Sequence, residues 1–166
     1  MAGTKFRSLR RIGRYPLTEP DKFILRLLNF SRGVNPFIFL NSNNYFVQYG
    51  KHEWIAAFGG ESVSFSDDAF DDLYKSWSAS KDWLFGYLGY DLKNQIEKLK
   101  SNNPDKLGFP DVFFFRPKVV LRYDHKNVII ECIDEDPKDV FDLILGTDVL
   151  PPHQWEGLEL KPALTK

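Results

Sequence analysis

The stretch D-V-F-F-F-R-P-K-V-V-L-R-Y-D-H-K-N-V-I-I-E-C-I, residues 111–133, gives the first indication of the fold. Apolar runs at 112–123 and 128–133 flank a polar turn at 124–127, and this pattern predicts an antiparallel hairpin. Continuous apolar runs, here Phe113 to Phe115 and earlier 37–40, are typical of strands buried on both faces. A chain of 166 residues has few elements to cover both faces of a sheet, so we expect a covering layer from a partner or a C-terminal continuation.

The rest of the chain is predicted to form short strands and amphipathic helices. Apolar residues spaced by three and four after Pro20 predict a helix that ends near Gly33. Further strands are predicted at 37–40, 45–49, 54–58 and 83–88, and further helices at 91–99 and 136–146. A helix that begins at 66–68 is expected to bury Phe70, Leu73, Tyr74 and Trp77. The fold class is therefore α+β, with a largely antiparallel β-sheet flanked by helices.

Composition excludes several classes of function. Twenty-two Lys and Arg against 23 Asp and Glu give a net charge of -1, which offers no general electrostatic attraction for nucleic acid. No apolar run approaches the roughly 20 residues that span a bilayer, and the N-terminus lacks the apolar core of a secretory signal. The basic residues at 4–14 are expected to be solvated charges along a first strand or arm. A single cysteine, Cys132, favours a reducing compartment, so we expect a cytoplasmic protein.

A search for catalytic motifs finds none. His52, His125 and His153 are far apart in the sequence, and no zinc spacing, P-loop, dinucleotide fingerprint or nucleophile elbow occurs. Cys132 lies within a strand pattern, which indicates a packed core thiol. The acidic residues at 67–72 lack the spacing of a calcium loop and are expected to form a solvated helix face. The residues alone therefore describe a non-catalytic part of something larger, with no metal site in this chain.

Two segments carry a more specific signal. At 86–97, G-Y-L-G-Y-D-L-K-N-Q-I-E, a strand interrupted by Gly86 and Gly89 runs directly into a helix, which implies close approach of another backbone. At 39–42, F-L-N-S, a buried strand delivers the hydroxyl of Ser42 to a turn. Either segment alone is explained by packing or by turn formation.

Taken together, the segments F-I-F-L-N-S at 37–42, F-G-Y-L-G-Y-D-L-K-N-Q-I-E at 85–97 and L-G-F-P-D-V-F-F-F at 107–115 resemble the chorismate-utilising enzymes. The resemblance is to the N-terminal region of component I of anthranilate synthase and of aminodeoxychorismate (para-aminobenzoate) synthase. Anthranilate synthases usually carry Leu-Leu-Glu-Ser where this chain has Asn41 before Ser42, and Val-Arg where it has Leu92 and Lys93. These departures favour the para-aminobenzoate branch.

The resemblance implies a two-subunit reaction. A glutamine amidotransferase partner releases ammonia, and component I adds it to chorismate with Mg²⁺, giving 4-amino-4-deoxychorismate for folate synthesis. The catalytic and Mg²⁺-binding residues of the family lie in a C-terminal chorismate-binding domain. Residues 1–158 are thus expected to form the N-terminal domain and 159–166 a linker to that domain, so the chain alone is predicted to be inactive and to hold no cofactor.

The resemblance also implies an effector pocket of the kind that binds tryptophan. Its candidate residues are Ser42, Tyr49, Gly50, Lys51 and His52. The hydroxyl of Ser42 would meet an amino group, the ring of Tyr49 would form an aromatic wall, and Lys51 and His52 would meet a carboxylate. The pocket's remaining wall would belong to the C-terminal domain, so the isolated chain is expected to bind tryptophan weakly or not at all.

Two alternative functions stay open at this point, together with self-association of the fragment. The chain could belong to anthranilate synthase component I of tryptophan synthesis, or it could be a free-standing amino-acid-binding regulatory domain that uses Ser42 and Tyr49. Exposed sheet surface could also make the fragment self-associate.

Overall fold

The computed structural model describes residues 10–45, 50–97 and 108–149. These residues form two antiparallel sheets and flanking helices, which confirms the predicted α+β class. The strands are β1 Arg11–Pro16, β2 Phe37–Asn41, β3 Trp54–Phe58, β4 Glu61–Ser62, β5 Phe85–Leu88, β6 Val112–Arg116, β7 Val119–Tyr123 and β8 Asn127–Cys132. The helices are α1 Pro20–Phe30, α2 Ala69–Ser80, α3 Asn94–Glu97 and α4 Pro137–Leu145, with 3₁₀ turns at Ser31–Gly33 and Tyr90–Lys93.

The larger sheet has five strands in the order β1-β8-β7-β3-β2, and every pairing in it is antiparallel. Its centre is the predicted hairpin of β7 and β8, closed by a turn in which the carboxylate of Asp124 accepts hydrogen bonds from the backbone N–H groups of Lys126 and Asn127. His125 lies at the tip of this turn with a φ of 68°, in the left-handed region. The hairpin predicted from 111–133 is thereby confirmed for its second half.

One face of the larger sheet packs against α1 and α4. Residues that alternate along β3, β7 and β8 point to this face, where they meet Phe23 and Leu27 of α1 and Phe141 of α4. The strand residues of this core are Trp54, Ala56, Phe58, Val119, Leu121, Tyr123, Val128, Ile130 and Cys132. Stacked rings fill much of the space, with Trp54 lying 5.4 Å from Tyr123 and 6.1 Å from Phe23 between centroids.

The opposite face of the larger sheet packs against a three-stranded sheet of order β4-β6-β5. Ala57 and Val120 of the larger sheet meet Phe85 and Phe115 of the smaller one, and all four side chains are buried. The central strands β3 and β7 are thus covered on both sides. The runs predicted to be buried on both faces, Phe113 to Phe115 and 37–40, lie instead in β6 and in the edge strand β2, where most side chains are only half-buried and Leu40 is 55% exposed.

The long strand predicted at 112–123 is wrong as a single element. The chain breaks at Pro117 into β6 and β7, which belong to different sheets. Proline has no N–H to give to a strand ladder, so it is tolerated where a strand ends, and here it marks the crossing between sheets. Apolar residues lie on both sides of Pro117, so the hydrophobic pattern did not predict this change of sheet.

The prediction for α2 is correct in its start and wrong in its buried face. Asp68 caps the helix by accepting a hydrogen bond from the backbone N–H of Asp71. Yet Phe70, Tyr74 and Trp77 are 40%, 65% and 47% exposed. The face turned inward consists mainly of small residues, since Ala69 and Ser80 are buried and Leu73 and Ser76 half-buried. Helical spacing identified the apolar stripe but could not show that the described core lies on the other side.

Several boundaries differ from the sequence expectation or lie outside the described residues. The helix expected at 91–99 begins as the 3₁₀ turn Tyr90–Lys93 and continues as α3. Tyr45 is not part of a strand, and the rest of the strand predicted at 45–49 lies outside the described residues, as does the linker predicted at 159–166. Within the described ranges, no helix is long and apolar enough to cross a membrane.

Arg10 is not the solvated charge that the sequence suggested. Its guanidinium forms a two-pronged ion pair with the Asp82 carboxylate at 2.8 and 2.9 Å, and the two side chains are only 6% and 7% exposed. The same guanidinium donates to the backbone carbonyls of Pro117 at 2.7 Å and Lys118 at 3.2 Å. Arg10 therefore joins the start of β1, the segment after α2 and the crossing between the two sheets.

Substitution of Gly86 tests how closely β5 and β6 pack in the smaller sheet. A Cβ placed there would lie 1.9 Å from the carbonyl oxygen of Phe113 and 2.7 Å from Cα of Phe114, both backbone atoms that cannot turn aside. We expect Gly86→Ala to lower the free energy of unfolding by about 1–3 kcal/mol. Gly33→Ala is the matched control, because nothing lies within 4 Å of a Cβ there. Urea unfolding of both variants measures the difference, and equal stabilities would contradict the tight pairing of β5 with β6.

Arg10→Ala tests the buried ion pair. Removing the guanidinium takes its hydrogen bonds away from the buried Asp82 carboxylate and from three backbone carbonyls, so a loss of about 3–5 kcal/mol in the free energy of unfolding is expected. Lys75→Ala removes an exposed helix pair with Asp71 and should change stability little. A loss no greater for Arg10→Ala than for Lys75→Ala, measured by urea unfolding, would show that the pair does not hold the sheets.

Candidate functional site

The candidate site lies at the loop that joins β2 to β3. The loop begins with an asparagine turn, in which the side-chain oxygen of Asn41 accepts a hydrogen bond from the backbone N–H of Asn43 at 3.1 Å. Asn43 and Asn44 both have positive φ, at 54° and 59°, which asparagine tolerates better than most residues. The polar run after β2 thus turns the chain sharply and leaves the Ser42 hydroxyl beside the start of β3.

Backbone hydrogen bonds fix both ends of this loop to the larger sheet. The N–H of Ser42 donates to the carbonyl of Glu53 at 2.9 Å, and the N–H of Glu53 donates to the carbonyl of Tyr123 at 2.9 Å. The pairing of Trp54 with Tyr123 brings the residues just before β3 next to the turn after β7. His52 and His125, 73 positions apart in the chain, therefore line one cavity.

The cavity has a volume of about 230 Å³. Ser42, Gly50 and His52, three of the five residues predicted from sequence, line it. Lys51 is exposed and is not one of the described lining residues, while Tyr49 lies outside the described residues. The remaining lining residues, which the sequence reasoning missed, are Asn44, Tyr45, Glu53 and His125.

Glu53 supplies the negative charge of the cavity. The backbone N–H of Asn44 donates to its carboxylate at 2.7 Å. The hydroxyl of Ser42 lies beside the same carboxylate without the geometry of a regular hydrogen bond, and its proximity is the largest cause that lowers the Glu53 pKa, followed by the Asn44 N–H. The carboxylate is therefore ionised at neutral pH and suited to meet an ammonium group.

His52 is held by Arg122 of β7. The guanidinium Nη1 of Arg122 lies 3.2 Å from Nε2 of His52. Because a guanidinium only donates hydrogen bonds, Nε2 must act as the acceptor, and the ring proton of neutral His52 then resides on Nδ1. Burial, followed by the charge of Arg122, lowers the pKa of His52. His52 is thus neutral at pH 7, which removes the positive charge that the sequence analysis expected it to offer a carboxylate.

A chain of polar contacts leads from His52 to the smaller sheet. Arg122 also donates from Nη2 to the carboxylate of Glu131, which is only 7% exposed. The second oxygen of Glu131 accepts a hydrogen bond from the indole N–H of Trp83 at 3.0 Å. Trp83 stacks on Phe85 of β5 with ring centroids 5.7 Å apart. One end of the packing between the sheets is therefore polar and connected to the cavity.

The arrangement suits binding of a small polar group. Cys132 is fully buried in the core, and burial raises the pKa of its thiol to about 12, which supports the prediction of an inert core thiol. Ionised Glu53 gives the cavity a charged acceptor for an ammonium group, and the imidazole of His125 lines the same cavity. Glu53 and His125 had no signal in the sequence, since only strand register brings them to Ser42.

Comparison with known proteins gives two partial matches. Anthranilate synthase component 1 of Cereibacter sphaeroides is 54% identical over 41 residues, which cover 25% of this chain and 8% of that protein. Anthranilate synthase component 1 of Thermus thermophilus is 39% identical over 58 residues, which cover 34% of this chain and 13% of that protein. No family model matches the chain.

The chain matches only a small fraction of the length of these relatives. Both relatives bear the name of anthranilate synthase component 1, which supports the chorismate-utilising family that the sequence resembles. Neither supports the para-aminobenzoate branch that Asn41 and Lys93 favoured, so the anthranilate alternative has the better support.

Proposed function

We propose that this chain is the N-terminal part of component 1 of an anthranilate synthase, which uses chorismate and ammonia released from glutamine by an amidotransferase partner. The identity of 54% and 39% to two proteins of that name carries the proposal. The para-aminobenzoate enzyme, with 4-amino-4-deoxychorismate as product, is the second candidate, because Asn41 and Lys93 depart from the usual anthranilate synthase pattern.

In this proposal the chain contributes a scaffold and a binding pocket, while the catalytic and Mg²⁺-binding residues belong to a C-terminal domain. The apolar stripe of α2 supports a role as one part of a larger body, since Tyr74 is 65% exposed and Trp77 47%. Leu88, the last residue of β5, is 49% exposed, and Tyr90, two residues further along, is 83% exposed. The isolated 166-residue chain would therefore be inactive towards chorismate.

The product of the enzyme distinguishes the two branches. We expect the protein from the complete coding sequence, supplied with Mg²⁺, chorismate and either ammonium or a glutamine amidotransferase, to release anthranilate, which is identified by its fluorescence and mass. Formation of 4-amino-4-deoxychorismate instead would transfer the protein to the para-aminobenzoate branch. Failure to consume chorismate, with a known anthranilate synthase active in the same assay, would refute both enzyme functions.

We also propose that the cavity between the β2–β3 loop and the β7–β8 turn binds the amino-acid head group of an effector such as tryptophan. Ionised Glu53 supports this role, because it lies beside Ser42 and offers a charged acceptor to an ammonium group. At about 230 Å³ the cavity is smaller than the roughly 300–1,000 Å³ of typical ligand pockets, so the indole ring would extend beyond it. Lys51, which lies between two lining residues, is the candidate for the carboxylate.

Titration of the ¹⁵N-labelled chain with L-tryptophan tests the pocket. We expect weak binding whose amide shifts centre on Ser42, Asn44 and Glu53. Glu53→Gln should reduce the affinity about tenfold, the value of one charged hydrogen bond. Glu61→Gln, on β4 outside the cavity, should leave the affinity for tryptophan unchanged. Indole-3-propionate lacks the amino group, so it should bind the unmodified chain no more tightly than it binds the Glu53→Gln variant. Shifts centred elsewhere, or an affinity insensitive to Glu53→Gln, would exclude an amine site here.

A further inference from the structure

The polar chain from His52 to Trp83 is the strongest feature that the proposed function does not use. It begins in the wall of the cavity at His52, passes through Arg122 of β7 and Glu131 of β8, and ends at Trp83, which leads into the smaller sheet. Each contact joins a different element of the fold. A change at the cavity can therefore be transmitted to the packing between the two sheets through three consecutive polar contacts.

We propose that His52 is a proton-sensitive link between the cavity and the packing of the two sheets. Neutral His52 accepts a hydrogen bond from Arg122 and holds the loop end against β7, and a proton on Nε2 removes that acceptor. Protonation then places two cations at a contact of 3.2 Å, so His52 moves away from Arg122 and the cavity wall opens. The guanidinium, whose Cζ lies 5.8 Å from the centre of the Trp83 ring, reorients between Glu131 and that ring.

On balance, the surroundings of His52 oppose its protonation and so keep the ring neutral and in contact with Arg122 in neutral solution. Burial and the cations Arg122 and Lys51 oppose its protonation, whereas Asp124 and Glu131 favour it. Glu131 is already neutralised by Arg122, and Asp124 by the backbone N–H groups of its turn and by Arg14 at 2.9 Å. Glu53 and His125 share the cavity with His52 and complete the set of titratable neighbours.

Protonation of His52 is expected to lower the stability of the folded chain as the pH falls. The pKa of His52 is lowered in the folded chain from the ordinary 6.5, so the unfolded chain binds the proton more readily. The stability contributed by the neutral form is fully present above pH 6.5 and is lost as the pH falls through the folded pKa. The contact with Arg122 should therefore break as the pH falls through the lowered pKa of folded His52.

The experiment is a pH titration of the ¹⁵N-labelled full chain by NMR, between pH 8 and 5. Long-range imidazole spectra report the tautomer and the midpoint of His52, and the indole N–H resonance of Trp83, assigned with Trp83→Phe, reports the far end of the polar chain. We expect the Nδ1-protonated tautomer, a midpoint below 6.5, and a Trp83 shift with the same midpoint. His52→Gln should abolish the Trp83 shift, because a glutamine oxygen still accepts from Arg122 but does not titrate.

His125→Gln is the matched control, since His125 lines the same cavity but the described contacts of Arg122 do not include it, and this variant should keep the Trp83 shift. An Nε2-protonated His52, or a Trp83 resonance that ignores the His52 midpoint in the unmodified chain, would overturn the proposal without any variant. A Trp83 shift that persists in His52→Gln and vanishes in His125→Gln would assign the effect to the other histidine and also overturn it. None of these outcomes depends on the ligand or reaction proposed above.

Discussion

The buried ion pair of Arg10 with Asp82 is the constraint on which the described architecture depends. It sits where β1 begins, where α2 passes into β5, and where Pro117 carries the chain from one sheet to the other. These segments lie 72 and 107 positions from Arg10, so no local preference could bring them together. The buried guanidinium binds the Asp82 carboxylate through two hydrogen bonds and also donates to backbone carbonyls, so it holds these segments together, because an unsatisfied charge there would be costly.

Close backbone approach is the second constraint, and it acts within the smaller sheet. Gly86 lies so near the backbone of Phe113 and Phe114 that a single methyl group has no space. This brings β5 and β6 together and lets Phe85 and Phe115 reach Ala57 and Val120 of the larger sheet. The same arrangement leaves Tyr87 and Leu88 of β5 and the apolar stripe of α2 exposed. The covering layer expected from the sequence stays a prediction, and these are the surfaces that it would cover.

The cavity and the polar chain behind it depend on this packing of the strands. Strand pairing brings the loop before β3 to the turn after β7, and burial then determines which charges persist there. Glu53 keeps its charge because donors surround it, while His52 stays neutral because burial and Arg122 oppose a proton. A pocket predicted as cationic at His52 is therefore anionic at Glu53, which favours the amino end of an amino acid over its carboxylate.

The sequence alone was sufficient to predict much of the local structure. Asp68 and Asp136 cap α2 and α4, Pro20 and Pro137 are the first residues of α1 and α4, and the Asn41–Asn44 turn ends β2. It also pointed to Ser42, Gly50 and His52, which do meet in one cavity. Other features could be seen only in the packed chain: Pro117 divides one apolar run between two sheets, the apolar stripe of α2 faces outward, Arg10 is buried with Asp82, and Glu53 and His125 line the cavity. Side-chain period and capping act over a few residues, whereas the register of β3 with β7 and the pairing of Arg10 with Asp82 join residues 61 to 72 positions apart and depend on the whole packed chain.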